Sequence, residues 1–304
     1  MSGPSKQRLM DTGLAEAGGL PFATATRAEL VERFEGALAR RLHGLCFSAY
    51  LPGQSPELGT RLSEAQVRAR LELVRPWTRW VRSFSCTDGN EAIPRIAREL
   101  GMKTLVGAWL GTDLEKNEAE LAGAIELARA GHADLLAVGN EVLLREDLPE
   151  AALIDYLRRA KAALPGVPVS YVDAYYLFVQ HPRLVEACDV ILANCYPFWE
   201  YCALDQSLAY MKEMHARVVR VAGGRPVIIS ETGWPSAGTP VGEAVPSVEN
   251  ALRYLLATLE WTEGAGIDLF YFAAFDEAWK AGPEGDRGVT WGLWDQDGKP
   301  KYGV

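Results

Sequence analysis

Residues 228–238 read IISETGWPSAG, and Glu231 follows PVII, a run that suits a strand buried on both faces. A charged side chain at the end of such a strand is costly unless it meets a cleft and is hydrogen-bonded. Glu141 has the same character. It ends the apolar run DLLAVGNE (134–141) and follows Asn140. Either glutamate alone fits a salt-bridge partner or a helix cap. Two of them, at the ends of two separate strands and beside an Asn or a Ser, point to glycosidic bond cleavage. One carboxylic acid protonates the leaving oxygen, and the other carboxylate attacks the anomeric carbon. Carboxyl groups about 5 Å apart give retention of configuration, and those about 6.5–9.5 Å apart give inversion. Side chains that both project toward a barrel axis favour the shorter gap. Asn140 is placed to hold the sugar 2-hydroxyl.

The elements that must carry these residues recur along the chain. A short apolar run, a turn and an amphipathic helix repeat from residue 43 onward. The runs are HGLCFSAY (43–50), RWVRSF (79–84), KTLVGAWL (103–110), DLLAVGNE (134–141), PVSYVDAY (168–175), DVILANCY (189–196), PVIISE (226–231) and DLFYFAAF (268–275). Helical periodicity lies between them, in SEAQVRARLELV, EAELAGAIELARA, EAALIDYLRRAKAAL and VENALRYLLATLEW. Strands alternating with helices pair in parallel, and eight units close into an α/β (β/α)8 TIM barrel. No GxGxxG follows the first run, which argues against an open dinucleotide-binding sheet. Residues 1–40 read as a loose arm and a helix, TRAELVERFEGALARRL, and residues 41–304 as one catalytic barrel. In such a barrel catalytic groups sit at the C-terminal strand ends, which is where Glu141 and Glu231 fall.

Composition narrows the partners. The 304 residues are 48% hydrophobic and 23% charged, with a net charge of −9 and no basic stripe. Nucleic acid and anionic membranes are therefore excluded as partners, and a neutral ligand fits. The first 22 residues contain no apolar stretch of signal-peptide length, so the cytoplasm is the default expectation, with a periplasmic or secreted setting as the alternative if the chain is part of a longer exported one. Cys46, Cys86, Cys188, Cys195 and Cys202 are odd in number and lack a CxxC, so they read as small buried apolar residues. His43, His132, His181 and His215 are scattered without metal-ligand spacing, and no Gly-rich phosphate loop occurs; no metal and no cofactor are expected. Nothing in the sequence speaks to oligomeric state.

Aromatic residues cluster at or just after the strand ends: Trp109, Tyr175, Tyr196, Trp199, Trp234 and Trp279. Sugar faces stack on such rings, and ordinary core packing is the alternative for each. Asp173, ending the fifth run, suits either a sugar hydroxyl or a loop hydrogen bond. Arg82, inside the second run, suits a buried pair with a catalytic carboxylate or a structural ion pair.

These segments make the sequence resemble glycoside hydrolase family 17, the β-1,3-glucanase and β-1,3-glucan transglucosylase family. GNEVLLR resembles its acid/base segment and IISETGWPSAG its nucleophile segment. FAAFDEAWKAGPEGDRGVTWGLWDQDGKPKY resembles its closing stretch, and HGLCFSAY and ANCYPFWEY its first and sixth strands. The wording of CFSAYLPGQSP and LANCYPFWE is nearer the bacterial members than the plant ones. The resemblance covers residues 43–302. It implies Glu141 as acid/base, Glu231 as nucleophile, and Glu277 and Lys280 as auxiliary polar residues near the nucleophile. It implies β-1,3-glucan or its oligosaccharides as substrate. Phe47 and Phe84 stand where many members carry Tyr. Hydrolysis is the first expectation. Transglucosylation, which branches, elongates or cyclises the glucan, is the alternative, and a non-catalytic glucan-binding protein on the same scaffold is the third.

Overall fold

The computed structural model describes residues 19–303. Most of the expected N-terminal arm lies outside the described residues. The chain enters through the helix Arg27–Ala39, started by a reciprocal cap between Thr26 and Glu29. This helix lies against the long helix Val248–Ala265, whose Arg253 donates to the Phe22 and Ala25 carbonyls.

Eight parallel strands follow: β1 (Leu42–Cys46), β2 (Thr78–Arg82), β3 (Lys103–Ala108), β4 (Leu135–Asn140), β5 (Val169–Ala174), β6 (Ile191–Asn194), β7 (Val227–Thr232) and β8 (Leu269–Tyr271). They hydrogen-bond in sequence order and close, β8 pairing with β1. The closed (β/α)8 barrel is the architecture that the alternating pattern implies. At the seam Gly44 faces Phe270, and a Cβ on Gly44 would come within 2.5 Å of that ring, so the seam requires glycine there. The four helical segments read from periodicity form Glu64–Val74, Leu114–Arg129, Glu150–Ala163 and Val248–Ala265. Three of these helices start on side-chain caps, from Ser63, Asp113 and Ser247, each removing an orphan backbone N–H.

The first and eighth runs overshoot their strands. β1 ends at Cys46 and β8 at Tyr271. Beyond these points the chain leaves the ladder to roof the barrel, although Phe47 N–H still donates to the Arg82 carbonyl and Ala274 N–H to the Cys46 carbonyl. The register slips beside the two glutamates, between Ala137 and Asn140 on β4 and between Ile229 and Thr232 on β7. Such bulges re-aim side chains, here at the C-terminal rim. The five cysteines are buried and free, as their spacing implies.

Candidate active site

A cleft of about 1160 Å³ lies over the C-terminal strand ends, with Glu141 and Glu231 in its lining. Arg82 ends β2, Asn140 ends β4, Asn194 ends β6, and Glu231 is the penultimate residue of β7. The strand ends thus deliver four polar side chains to one place.

Glu231 is buried, and both of its oxygens accept hydrogen bonds. Arg82 Nη1 lies 2.5 Å from Oε1, and the Tyr196 hydroxyl donates to Oε2 at 2.8 Å. Arg82 is only 1% exposed. Its guanidinium also donates to Asn140 Oδ1 at 2.7 Å and to the Ser230 carbonyl at 2.9 Å. A buried guanidinium and a phenol thus both donate to this carboxylate and hold it in one orientation. The pair left open by the sequence is therefore Arg82 with Glu231.

Glu141 is half-buried and differently served. Asn194 Nδ2 donates to its Oε1 at 2.8 Å. Burial first, and then the charge of Glu231, push its carboxyl up to about 7, against the pull of Asn194 and Arg145. Its backbone has φ +52°, in the left-handed region that a non-glycine residue rarely occupies. The strained turn is held at both ends, since Glu141 N–H donates to the Val172 carbonyl and Arg145 Nη1 to the Asn140 carbonyl at 2.6 Å. Glu231 is thus gripped by two donors, whereas Glu141 meets one and holds its proton up to about 7, the asymmetry that separates a nucleophile from an acid.

The remaining sequence candidates divide. Asn140, Tyr196, Trp199, Glu277, Trp279 and Lys280 line the cleft, as does Trp109. Tyr196 meets Trp291 edge-on, and the Trp199 ring lies 5.5 Å from that of Trp291 at a tilt of 31°, which makes one aromatic wall. Trp279 and Tyr50 form another. Lys280 sits between Glu277 at 3.0 Å and Glu284 at 3.9 Å, with the Phe272 ring face 4.0 Å away. Burial pulls its ammonium down, but the two carboxylates outweigh that and hold it above the usual range.

Three candidates need correction or refinement. Trp234 is not a sugar platform. It is 1% exposed, packs on Phe198 and Tyr254, and spends its indole N–H on the Val245 carbonyl at 3.0 Å. Glycine precedes it and proline follows, so the turn drives the ring inward rather than across the cleft. Asp173 does not meet a sugar hydroxyl. It is 0% exposed and accepts from Tyr171 and from the Ala174 N–H. Tyr171 in turn accepts from Leu143 N–H at 3.0 Å, so Asp173 supports the turn that carries Glu141 from behind. Tyr175 borders the cleft but is buried, its hydroxyl turned to Glu200 at 3.3 Å. Sequence reasoning missed Asn194, Trp291 and Glu284. Asn194 had a usable signal, because it ends an apolar run just as Asn140 does.

The BtgE/BtgC glycoside hydrolase domain matches residues 44–292. A glucan 1,3-β-glucosidase of Arthroderma benhamiae is 29% identical over 73% of this chain and 78% of its own. One of Saccharomyces cerevisiae is 26% identical over 90% of this chain and 98% of its own. The structure of an active-site mutant of Rhizomucor miehei β-1,3-glucanosyltransferase in complex with laminaritriose superposes with a TM-score of 0.78. It is 27% identical and covers 88% of this chain and 98% of that one. A second structure, of a glycoside hydrolase family 17 β-1,3-glucanosyltransferase from Rhizomucor miehei, superposes with the same TM-score of 0.78 at 27% identity. With two glutamates at the ends of β4 and β7 and a family match spanning nearly the whole barrel, the chain belongs to the BtgE/BtgC glycoside hydrolase domain family and, as its glutamate motifs imply, to glycoside hydrolase family 17.

Proposed function

We propose that the protein acts on β-1,3-glucan with retention of configuration. Glu231 attacks the anomeric carbon, and the glycosidic C–O bond breaks as the Glu141 proton passes to the leaving oxygen. A glycosyl ester on Glu231 results. Glu141, now a carboxylate, takes a proton from the incoming hydroxyl, which attacks the same carbon and frees Glu231. Asn140, its Oδ1 held by Arg82, leaves its amide N–H groups to donate to the sugar 2-hydroxyl. The single observation that carries this reading is the opposed setting of the two carboxylates, Glu231 fixed by Arg82 and Tyr196, and Glu141 kept protonated by burial beside it.

The incoming hydroxyl belongs to water in hydrolysis and to a second sugar in transfer. The walls of Trp199, Trp291 and Trp279 support binding of a second sugar, so transfer stands beside hydrolysis. The names of the relatives include both a glucosidase and a glucanosyltransferase. The test is incubation with a linear β-1,3-glucan oligosaccharide, with products followed by NMR and mass spectrometry. First-formed β-anomers support the reading, and first-formed α-anomers contradict it. Products longer than the substrate, or lighter by one water, assign transfer. Only shorter products, at every concentration tried, assign hydrolysis.

A further inference from the structure

Of the four polar side chains that the strand ends deliver to the site, Asn194 alone has no role in that scheme, and its surroundings are specific. The Ser230 hydroxyl, fully buried on β7, donates to Asn194 Oδ1 at 2.8 Å. The amide nitrogen of Asn194 then donates to Glu141 Oε1 at 2.8 Å. Glu141 Oε2 has no partner among the described residues, and the side chain lines the cleft. We infer that Ser230 and Asn194 form a positioning pair that divides the labour of the two Glu141 oxygens, so that Oε1 only accepts and the catalytic proton leaves from and returns to Oε2.

Hydrogen-bond valence dictates this division. An amide has a donor end and an acceptor end, and its orientation follows from its partners. A serine hydroxyl can bond to either end, but Glu141 Oε1 cannot. In the base half of the reaction Glu141 is an ionised carboxylate that can only accept. An amide oxygen turned toward it would oppose two lone pairs and leave the Asn194 N–H groups facing Ser230. The observed orientation avoids this conflict. It also serves the acid half, in which Oε1 is the carbonyl oxygen of the carboxylic acid and again accepts. One fixed amide therefore suits both protonation states, and no side chain turns over between the two steps. Asn194 is also the Cα partner of Glu231 across the ladder, so the same backbone position relates the acid/base to the nucleophile.

This inference rests on the reading of Glu141 as acid/base, and the experiment separates the two. The variants are Asn194→Leu, of similar size without a donor, and Ser230→Ala, which removes only the anchor. The first readout needs no substrate: the Glu141 carboxyl is titrated by carbon-13 NMR, assigned against Glu141→Gln. The charged groups facing it are Glu231 on β7, Asp173 on β5 and Arg145 just after it, with Tyr176 and Tyr196 nearby. All of these remain in both variants. Loss of a donor that favours the carboxylate moves the titration to higher pH, by about half a pH unit or more in Asn194→Leu and less in Ser230→Ala. The second readout compares kcat/KM on β-1,3-glucan with kcat/KM on a dinitrophenyl β-glucoside of the same chain, whose leaving group needs no proton. The account expects a loss of more than about tenfold on glucan and less than about threefold on the activated glycoside. An unmoved titration with parallel losses on both substrates reduces the pair to packing and overturns the inference alone. A wild-type protein inactive on both substrates overturns the reading of the site and the inference with it.

Discussion

Arg82 Nη1 and Glu231 Oε1 lie 2.5 Å apart in a site where neither side chain is open to bulk water. That contact fixes the nucleophile and ties it to Asn140 through the other arm of the same guanidinium. Removing one partner of a buried pair leaves an uncompensated charge, at a cost of about 3–5 kcal/mol. Arg82→Met is therefore expected to lose about that much stability in urea unfolding at neutral pH. Its remaining folded fraction should turn over poorly. A variant within about 0.5 kcal/mol of the parent, the range of an ordinary surface substitution, contradicts the pairing.

Glu231→Ala leaves the buried Arg82 guanidinium unpaired and should lose stability on the same scale, and its folded fraction should lose more than about a thousandfold in turnover, the scale on which nucleophile removal acts. Azide entering from the vacated face should restore activity and give a glycosyl azide of inverted configuration, identified by NMR. An azide product of retained configuration would move the nucleophile elsewhere.

The proton on Glu141 has two pH consequences. First, kcat/KM should lose activity as pH rises through about 7, because only the acid form protonates the leaving oxygen. Second, the fold should respond. The unfolded chain releases this proton near 4.5, whereas the folded protein holds it to about 7. Between these values the native state binds more protons, so stability falls as pH rises through that window and then levels off. Asp173, which burial pushes up to about 6, adds a slope of the same sign. Glu141→Gln keeps Asp173, so the difference between variant and parent isolates Glu141. Chemical denaturation from pH 4 to 8 checks this, and identical slopes would contradict it.

The barrel was legible because its eight strands are short apolar runs spaced by helical periodicity, and parallel strands buried on both faces must look that way. Glu141 and Glu231 were legible because a carboxylate ending such a run has few structural explanations. The rest was less so. Trp234 sits in the nucleophile motif and reads like a sugar platform, yet which way its ring turns depends on the packing of Phe198 and Tyr254 from distant parts of the chain. Asp173 ends its run as Glu141 does, but its carboxylate points behind the acid/base toward Tyr171, and strand position alone does not give that direction. Trp291 comes from the irregular closing stretch, where no periodicity places a side chain.

Trp234 and Trp199 should therefore behave differently. Trp234→Ala opens a core cavity and should cost about 3–5 kcal/mol of stability with little change in KM. Trp199→Ala removes part of a cleft wall and should raise KM for long oligosaccharides while leaving the unfolding midpoint nearly unchanged. Urea unfolding and steady-state kinetics on both variants decide the matter, and the reverse pattern would return Trp234 to the sugar.

A covalent glycosyl-enzyme on Glu231 is the central claim, and trapping it is the most direct test. A 2-deoxy-2-fluoro β-1,3-linked disaccharide with a dinitrophenyl leaving group slows both steps but the second one more, so the intermediate accumulates. Mass spectrometry of the intact protein should show one added fluoroglycosyl group. Digestion should place it on the peptide carrying Glu231, and Glu231→Gln should take up none. Turnover without any adduct, or an adduct on another residue, would contradict the assignment.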